Sequence, residues 1–444
     1  MPTSALIIRG GRILDPGSRI DIGHGDVLLR EGHIAEVGRG LGAAGARVLD
    51  AKGLVVTPGF IDLHTHLREP GFEYKETIET GTRAAARGGF TTICAMPNTD
   101  PAMDSRPTVD FVLQRAAEVA LVRVLPIGCV TKGRQGKLLA EMGELAQAGC
   151  VGFSDDGSPV ADAALMRRAL EYARGLDRPI IDHCEDPATA GGVMHEGWVS
   201  TRLGLKGIPS ASEESAIARD IALARQTGAH VHIAHVSTAG GVELVRRAKA
   251  EGLRVTAEVT PHHLTLTHEA VMSSPGSTAL AYDTNAKMYP PLRAEEDVSA
   301  CIEGLRDGAI DAIATDHAPH AIQEKLCEFD VAAFGMVGLE TALALVLTRA
   351  AGERLTLERI IEALTIGPVR ALGLDRYVHG IGTLTPGAPA DIAIIDPDAE
   401  WLIDPAAFAS KGKNTPLDGM TMQGRVVATI FAGEMVHELR GVAL

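Results

Sequence analysis

The chain has 444 residues, 45% of them apolar but only 4% aromatic, so its core must be mostly aliphatic and its length allows two or three domains or one large barrel with an attachment. A formal net charge of -15 excludes a general electrostatic attraction to nucleic acid or to an anionic membrane, although a local arginine can still bind a small anionic substrate. The six cysteines form no Cys-x-x-Cys pair and no apolar run reaches the roughly 18 residues of a membrane span, so a reducing, cytoplasmic location is expected.

Residues 1–56 contain short extended runs (ALIIRG, DVLLREGHIAEVG, ARVLDAKGLVVTPG), and the N-terminal PTSALIIRGGRILD alternates like a strand rather than a signal peptide. From about residue 57 short apolar strands alternate with helical periods, the signature of parallel α/β structure. Eight strands are expected, at 59–64, 90–96, 122–128, 150–154, 179–183, 230–235, 254–259 and 311–316. Helical runs such as TIETGTRAAARGG and SEESAIARDIALARQTG fill the gaps and mostly close on a glycine suited to a C-cap. Eight such units, with no Gly-x-Gly-x-x-Gly opening the first, favour a closed (β/α)8 barrel over 57–375. Runs at 338–352 and 356–373 read as the last helices of its outer layer. Residues 376–444 return to strand-like material (ADIAIIDPD, GRVVATIFAGEMVHE). Neither terminal piece can bury a core alone, so the two are expected to pair as one small β-sandwich.

Barrel chemistry lives at the C-terminal ends of the strands. His64 and His66 stand at the exit of the first strand, Asp155 and Asp156 at the fourth, His183 at the fifth, His235 at the sixth and Asp316 at the eighth. Any one of these has an ordinary structural reading, such as a capped turn for Asp155 or Asp156 before Gly157. Together they read as a metal centre, with His64, His66 and Asp316 on one ion, His183 and His235 on another, and a carboxylate of the fourth strand between them. Imidazole mixed with carboxylate suits zinc or manganese better than magnesium. A water held there would be a nucleophile for a polarised carbonyl, and Asp316 is placed to take its proton and return it to a leaving nitrogen. His317 and His320 follow in TDHAPH, one suited to orienting a ligand or substrate and the other to packing the loop. The irregular run 320–335 is the expected lid.

These residues sit in longer strings: HTHLREPG (64–71), AMPNT (95–99), FSDDGSPV (153–160), DHCED (182–186), HIAHVST (232–238), EVTPHHL (258–264), YPPLR (289–293), ATDHAPH (314–320) and FGMVGLETAL (334–343). They resemble the amidohydrolase superfamily and, within it, the long bacterial dihydroorotases. The resemblance implies zinc, one or two ions per subunit, with Asp156 as the bridging carboxylate where many relatives carry a carboxylated lysine. It implies that Arg68 and Asn98 hold the carboxylate of dihydroorotate, with His320 on the same side. The family string commonly reads NPPLR; here Tyr289 replaces its asparagine, and Asn285 is a candidate to supply the missing amide. A small anionic substrate and association with aspartate transcarbamoylase are the partners the resemblance suggests, and a homodimer is expected only as the commonest default. Two rivals are a hydantoinase or allantoinase, which normally carry the lysine and lack LREPG with MPNT, and a non-catalytic partner of aspartate transcarbamoylase, which would have lost ligands that this chain retains.

Overall fold

The structure, a computed structural model, describes residues 5–42, 44–272, 281–352 and 354–439. The N-terminal part forms β1 (Leu6–Asp15), β2 (Ile20–Arg30), β3 (His33–Gly38), β4 (Arg47–Asp50) and β5 (Val55–Pro58). The parallel part contains β6 (Phe60–Thr65), β7 (Phe90–Ala95), β8 (Arg123–Pro126), β9 (Ile180–Asp182), a two-residue side pair β10 (Met194–His195) and β11 (Gly207–Ile208), then β12 (Val231–Ile233), β13 (Val255–Val259) and β14 (Ala312–Ile313). The chain ends in β15 (Ile392–Leu402), β16 (Thr421–Phe431) and β17 (Glu434–Glu438).

Strands from both ends of the chain share one eight-stranded sheet, in the order β17-β16-β15-β5-β1-β2-β3, with β4 pairing off β1. The long β1 takes β4 along Leu6–Arg9 and β5 at Arg12 and Ile13, so it carries the sheet from one layer to the next. Ile8, Val27, Ile34, Val56, Ile392 and Ile430 fill the space it encloses. The C-terminal strands are therefore tied to the N-terminal ones through β5, whose residues Val55–Pro58 pair with Ile392–Ile395. Gly59 then turns the chain into the barrel. A Cβ there would lie 2.1 Å from Thr91 Oγ1, so only glycine lets β6 approach β7 this closely.

The barrel closes through parallel ladders β6-β7-β8 and β9-β12-β13-β14. The fourth expected strand is shorter than its sequence suggests: Phe153 alone makes bridges, to Gly128 and to Ile180. Its backbone is still bonded on both sides, through Val151 N–H to Pro126 O (2.9 Å), Ser154 N–H to Gly128 O (2.8 Å) and Ile181 N–H to Phe153 O (2.8 Å). Thr65 and His317 form the bridge that joins the first unit to the last.

Three of the described α-helices start where a threonine hydroxyl satisfies a free amide, at Thr77, Thr238 and Thr356. Thr77 accepts from Thr80 N–H at the head of Ile78–Arg87, and Thr238 accepts from Gly241 N–H at the head of Ala239–Ala250, directly after the sixth strand's exit. The expected helix at 338–352 begins only at Ala342, because Gly338 packs onto the Thr315 carbonyl, where a Cβ would lie 3.0 Å away. The run at 356–373 is two helices, Leu357–Leu364 and Ile366–Leu372, broken at Thr365 with φ -124° and ψ -88°. Among the described residues no helix is long and apolar enough to cross a membrane.

Candidate metal centre and substrate cleft

The exits of five barrel strands deliver their polar side chains to one point. His64 lies within β6 and His66 just beyond it, His183 directly follows β9, His235 follows β12 and Asp316 follows β14. Asp156 comes three residues after the bridging Phe153. Three of the residues here sit in the left-handed region that non-glycine residues seldom adopt: Arg68 (φ 62°), His235 (φ 33°) and Asp316 (φ 45°).

Asp156 is the centre of the group. Its Oδ1 lies 3.3 Å from His64 Nε2, 3.5 Å from His183 Nδ1 and 3.4 Å from His235 Nε2, while its Oδ2 lies 3.6 Å from His66 Nε2. Two ligand trios therefore share this carboxylate: His64 with His66 and Asp156, and Asp156 with His183 and His235. Asp316 closes the first side, its Oδ1 3.0 Å from His66 Nε2 and 3.6 Å from His64 Nε2. The alternative carboxylate, Asp155, is committed elsewhere: it accepts Val130 N–H (2.9 Å), Thr131 N–H (3.0 Å) and the Thr131 hydroxyl, clamping the preceding loop.

The donor set fits a divalent cation on its own chemistry. All six side chains are buried, and His64 Nε2, aimed at Asp156 and Asp316, makes no hydrogen bond. His183 Nδ1 and His235 Nε2 face each other at 3.0 Å, two nitrogens that can share at most one proton. Buried polar groups left this poorly satisfied are uncommon. Burial raises the Asp156 and Asp316 carboxyls, but the neighbouring histidines outweigh it and hold both below the usual carboxylate range, Asp156 well below. Burial, helped at His66 by Arg68, lowers His66 and His183, which favours the neutral imidazole that can ligate a metal. Burial also opposes charge on His64, yet Asp156 and Asp316 raise it well above its ordinary value, as expected of a carboxylate pair lacking a countercharge.

A further layer fixes the imidazoles. Glu258, fully buried on β13, accepts from His64 Nδ1 (2.8 Å) and from His232 Nε2 (3.1 Å). Asn98 Oδ1 accepts from His66 Nδ1 (2.8 Å). Neither contact is expected from the sequence, where Glu258 has no role and Asn98 is a substrate ligand. The signal for Glu258 was present, as a carboxylate inside an apolar strand that needs a buried partner.

The cleft above has a volume of about 280 Å³ and is lined by His66, Arg68, Asn98, Asp156, His183, Met288, Tyr289 and Asp316, with His320, Phe334 and Gly335 contributed by the expected lid segment. Arg68 is half-buried, donates from Nε to Pro319 O (3.3 Å), and among the described residues forms no ion pair. Burial pulls its guanidinium down to about 10, so it stays cationic at neutral pH. His320 donates from Nε2 to Phe334 O (2.8 Å), whereas His317 turns away to Gly338 N–H, Glu76 and Ser410 and packs the loop. Tyr289 gives its hydroxyl to Glu185. Asn285 is not among the residues lining the cleft; it sits in the turn Thr284–Ala286 with its N–H on Asp283. A larger cleft of about 840 Å³ lies around His195, Trp198 and His268 but brings together no metal-ligand trio among the described residues.

Residues 53–240 match the family model described as Dihydro-orotase-like. The dihydroorotase of Pelotomaculum thermopropionicum is 55% identical over 438 residues, covering 98% of this chain and 99% of that protein. The chain belongs to the dihydroorotase family. The dihydroorotases of Geobacter sp. (strain M21) and Syntrophus aciditrophicus are 53% and 50% identical, each covering 98% of this chain and 99% of the relative. Among solved structures, the L-hydantoinase (dihydropyrimidinase) from Arthrobacter aurescens superposes with a TM-score of 0.86 over 99% of this chain and 97% of its own, at 26% identity. A D-hydantoinase gives 0.83 over 98% of this chain and 95% of its own, at 23%, and shows the fold alone. Dihydroorotase and hydantoinase thus share the barrel and its terminal sheet, and sequence identity places the chain with the dihydroorotases.

Proposed function

We infer that the chain is a catalytic dihydroorotase, which interconverts dihydroorotate plus water with N-carbamoyl-aspartate, a step of pyrimidine biosynthesis. The observation that carries this reading is a cationic Arg68 in the same cleft as the histidine and aspartate trios, in a chain more than half identical to dihydroorotases. A hydantoinase has no call for a guanidinium facing a ring carboxylate. A purely structural homologue has no need for six converging ligands.

One or two zinc ions would be held by His64, His66 and Asp316 on one side and by His183 and His235 on the other, with Asp156 between them. Zinc bound there supplies positive charge that polarises the amide carbonyl and eases deprotonation of water. Asp316 takes the proton of the attacking water, and the water oxygen bonds to the ring carbonyl carbon. When the ring C–N bond breaks, Asp316 returns the proton to the departing nitrogen, so the same carboxylate serves both directions. Arg68 meets the substrate carboxylate with paired donors. His320 lies on the same side, and Asn98, while it holds His66, keeps its amide N–H groups for the substrate.

The test is a panel of dihydroorotate, hydantoin and allantoin, run alongside metal content by elemental analysis. Preferential turnover of dihydroorotate by zinc-containing protein is expected. Faster turnover of hydantoin or allantoin would refute the substrate assignment.

A further inference from the structure

Tyr289 stands where the family resemblance leads one to expect an asparagine that reaches the substrate. A phenol can replace an amide as a donor only if its single O–H is available. Here it is not, because the hydroxyl donates to the Glu185 carboxylate. Glu185 is buried, lies two residues beyond His183 on the exit of β9, and among the described residues has no other side-chain hydrogen-bond partner than Tyr289. Turning the hydroxyl toward a substrate would leave the buried Glu185 carboxyl without its hydrogen-bond partner, close to Asp186 and Glu213.

The ring of Tyr289 is packed as firmly as its hydroxyl. Its centroid lies 4.9 Å from that of His183 at a tilt of 35°, and 4.8 Å from that of Phe334 at 41°. Phe334 carries the Lys287 ammonium 4.4 Å from its centroid, and Lys287 in turn donates to Phe329 O (2.6 Å) and Asp330 O (3.1 Å). An aromatic column thus runs from a candidate metal ligand, through Tyr289, to the 320–335 segment, whose His320, Phe334 and Gly335 line the cleft. An asparagine would supply neither ring contact.

Resting on the dihydroorotase reading above, we propose that Glu185 is a positioning residue: by accepting the Tyr289 hydroxyl it fixes that ring against His183 and Phe334 as a wall of the cleft, so Tyr289 meets the cyclic substrate with its ring and not with its hydroxyl. The pair sets how tightly the ring of the substrate is held. It takes no part in proton transfer.

The experiment is steady-state kinetics of the zinc-loaded enzyme with dihydroorotate, with zinc content measured on every preparation, for Tyr289→Phe, Glu185→Ala, Glu185→Gln and the double variant Glu185→Ala/Tyr289→Phe. Tyr289→Phe and Glu185→Ala should each raise KM about fivefold, the size of one ordinary hydrogen bond, with kcat and zinc content nearly unchanged. The double variant should be no worse than either single one, because both remove the same bond. Glu185→Gln, whose amide oxygen still accepts, should recover most of the loss and also guards against a misfolded alanine variant. A wild-type KM in Tyr289→Phe overturns the proposal. So does a loss in Tyr289→Phe with none in Glu185→Ala, which would mean that the hydroxyl meets substrate directly. Loss of zinc in Glu185→Ala would make Glu185 a support for His183 and overturns it as well. If the wild-type enzyme fails to turn over dihydroorotate, the functional reading falls and takes this proposal with it, whereas an active wild type with an indifferent Tyr289→Phe sinks the proposal alone.

Discussion

Glu258 offers the clearest separation of ligand orientation from ligation, because it touches two imidazoles and lines no part of the cleft. As a carboxylate it accepts from both His64 Nδ1 and His232 Nε2, which fixes the tautomer that leaves His64 Nε2 free for a metal. Glu258→Gln keeps the shape but can accept from only one imidazole, and its amide group meets the other as a donor facing a donor. One hydrogen bond to a charged group is worth about 1.5–3 kcal/mol, so a loss of about 2 kcal/mol in stability is expected. Glu258→Ala strands both imidazoles in a fully buried site and should cost more, about 3–5 kcal/mol, the usual result of removing one member of a buried charged cluster. Misorienting His64 should also weaken zinc binding about 10- to 100-fold. Urea unfolding of the chelated protein reads the first effect, and competition with a chromophoric chelator reads the second. A Glu258→Gln protein with wild-type stability and wild-type zinc affinity would refute the reasoning.

Three further outcomes follow from the same geometry. Asp316→Asn should lower turnover about 100- to 10,000-fold in both directions while zinc, measured by elemental analysis, is retained; near-normal rates with zinc bound would exclude a proton role for Asp316. Arg68→Met should raise KM for dihydroorotate by about 30- to 100-fold, corresponding to about 2–3 kcal/mol for a charged pair, and should leave the neutral ring dihydrouracil unaffected; equal losses on the two rings would refute carboxylate recognition. Burial, reinforced by the neighbouring Lys287, pulls Lys325 down to about 7 from 10.5. Between these values the unfolded chain carries the proton that the folded chain has released, so the contribution of this group to stability rises with pH from about 7 to 10.5 and is least favourable below 7. Lys325→Met should remove that rise from urea-unfolding profiles, and an unchanged slope would refute the assignment.

The positions of the barrel strands and the convergence of their exits were legible because both follow from local pattern. Apolar runs of strand length alternate with helical periods, and chemistry at a barrel gathers at one end. The choice of Asp156 over Asp155 came from the family resemblance and was not legible in local pattern, since neighbouring carboxylates on one turn differ only in which way the loop faces. It depends on the Val130 and Thr131 amides that claim Asp155. Glu258 and the Glu185 contact of Tyr289 were hidden for a related reason, namely that each joins residues far apart in sequence, 194 positions for His64 to Glu258 and 104 for Tyr289 to Glu185. Periodicity carries no information about such pairs. The late start at Ala342 follows from the close packing of Gly338 on Thr315, whereas the break at Thr365 has a local cause in Pro368, which has no N–H to donate and would clash with the Leu364 carbonyl in a continuous helix.

What makes so close a ligand cluster possible is the seam where the barrel closes. The last strand is only two residues long, and a single bridge, Thr65 to His317, links it to the first. The buried carboxylate of Asp62 supplies the rest. It accepts Thr315 N–H (2.7 Å), the Thr315 hydroxyl (2.6 Å), the Thr65 hydroxyl (2.5 Å) and, more weakly, His64 N–H (3.4 Å). Four donors exhaust the lone pairs of a carboxylate, so Asp62 is a clip and has no capacity left to act as base or ligand. It fastens the residues on either side of His64 to the residue just before Asp316. The left-handed backbone at Asp316 costs about 1–2 kcal/mol and would relax if that turn were free. With Thr315 bonded through both its amide and its hydroxyl, the turn is over-determined, and the 3.0 Å approach of Asp316 to His66 is set by the closure of the barrel itself.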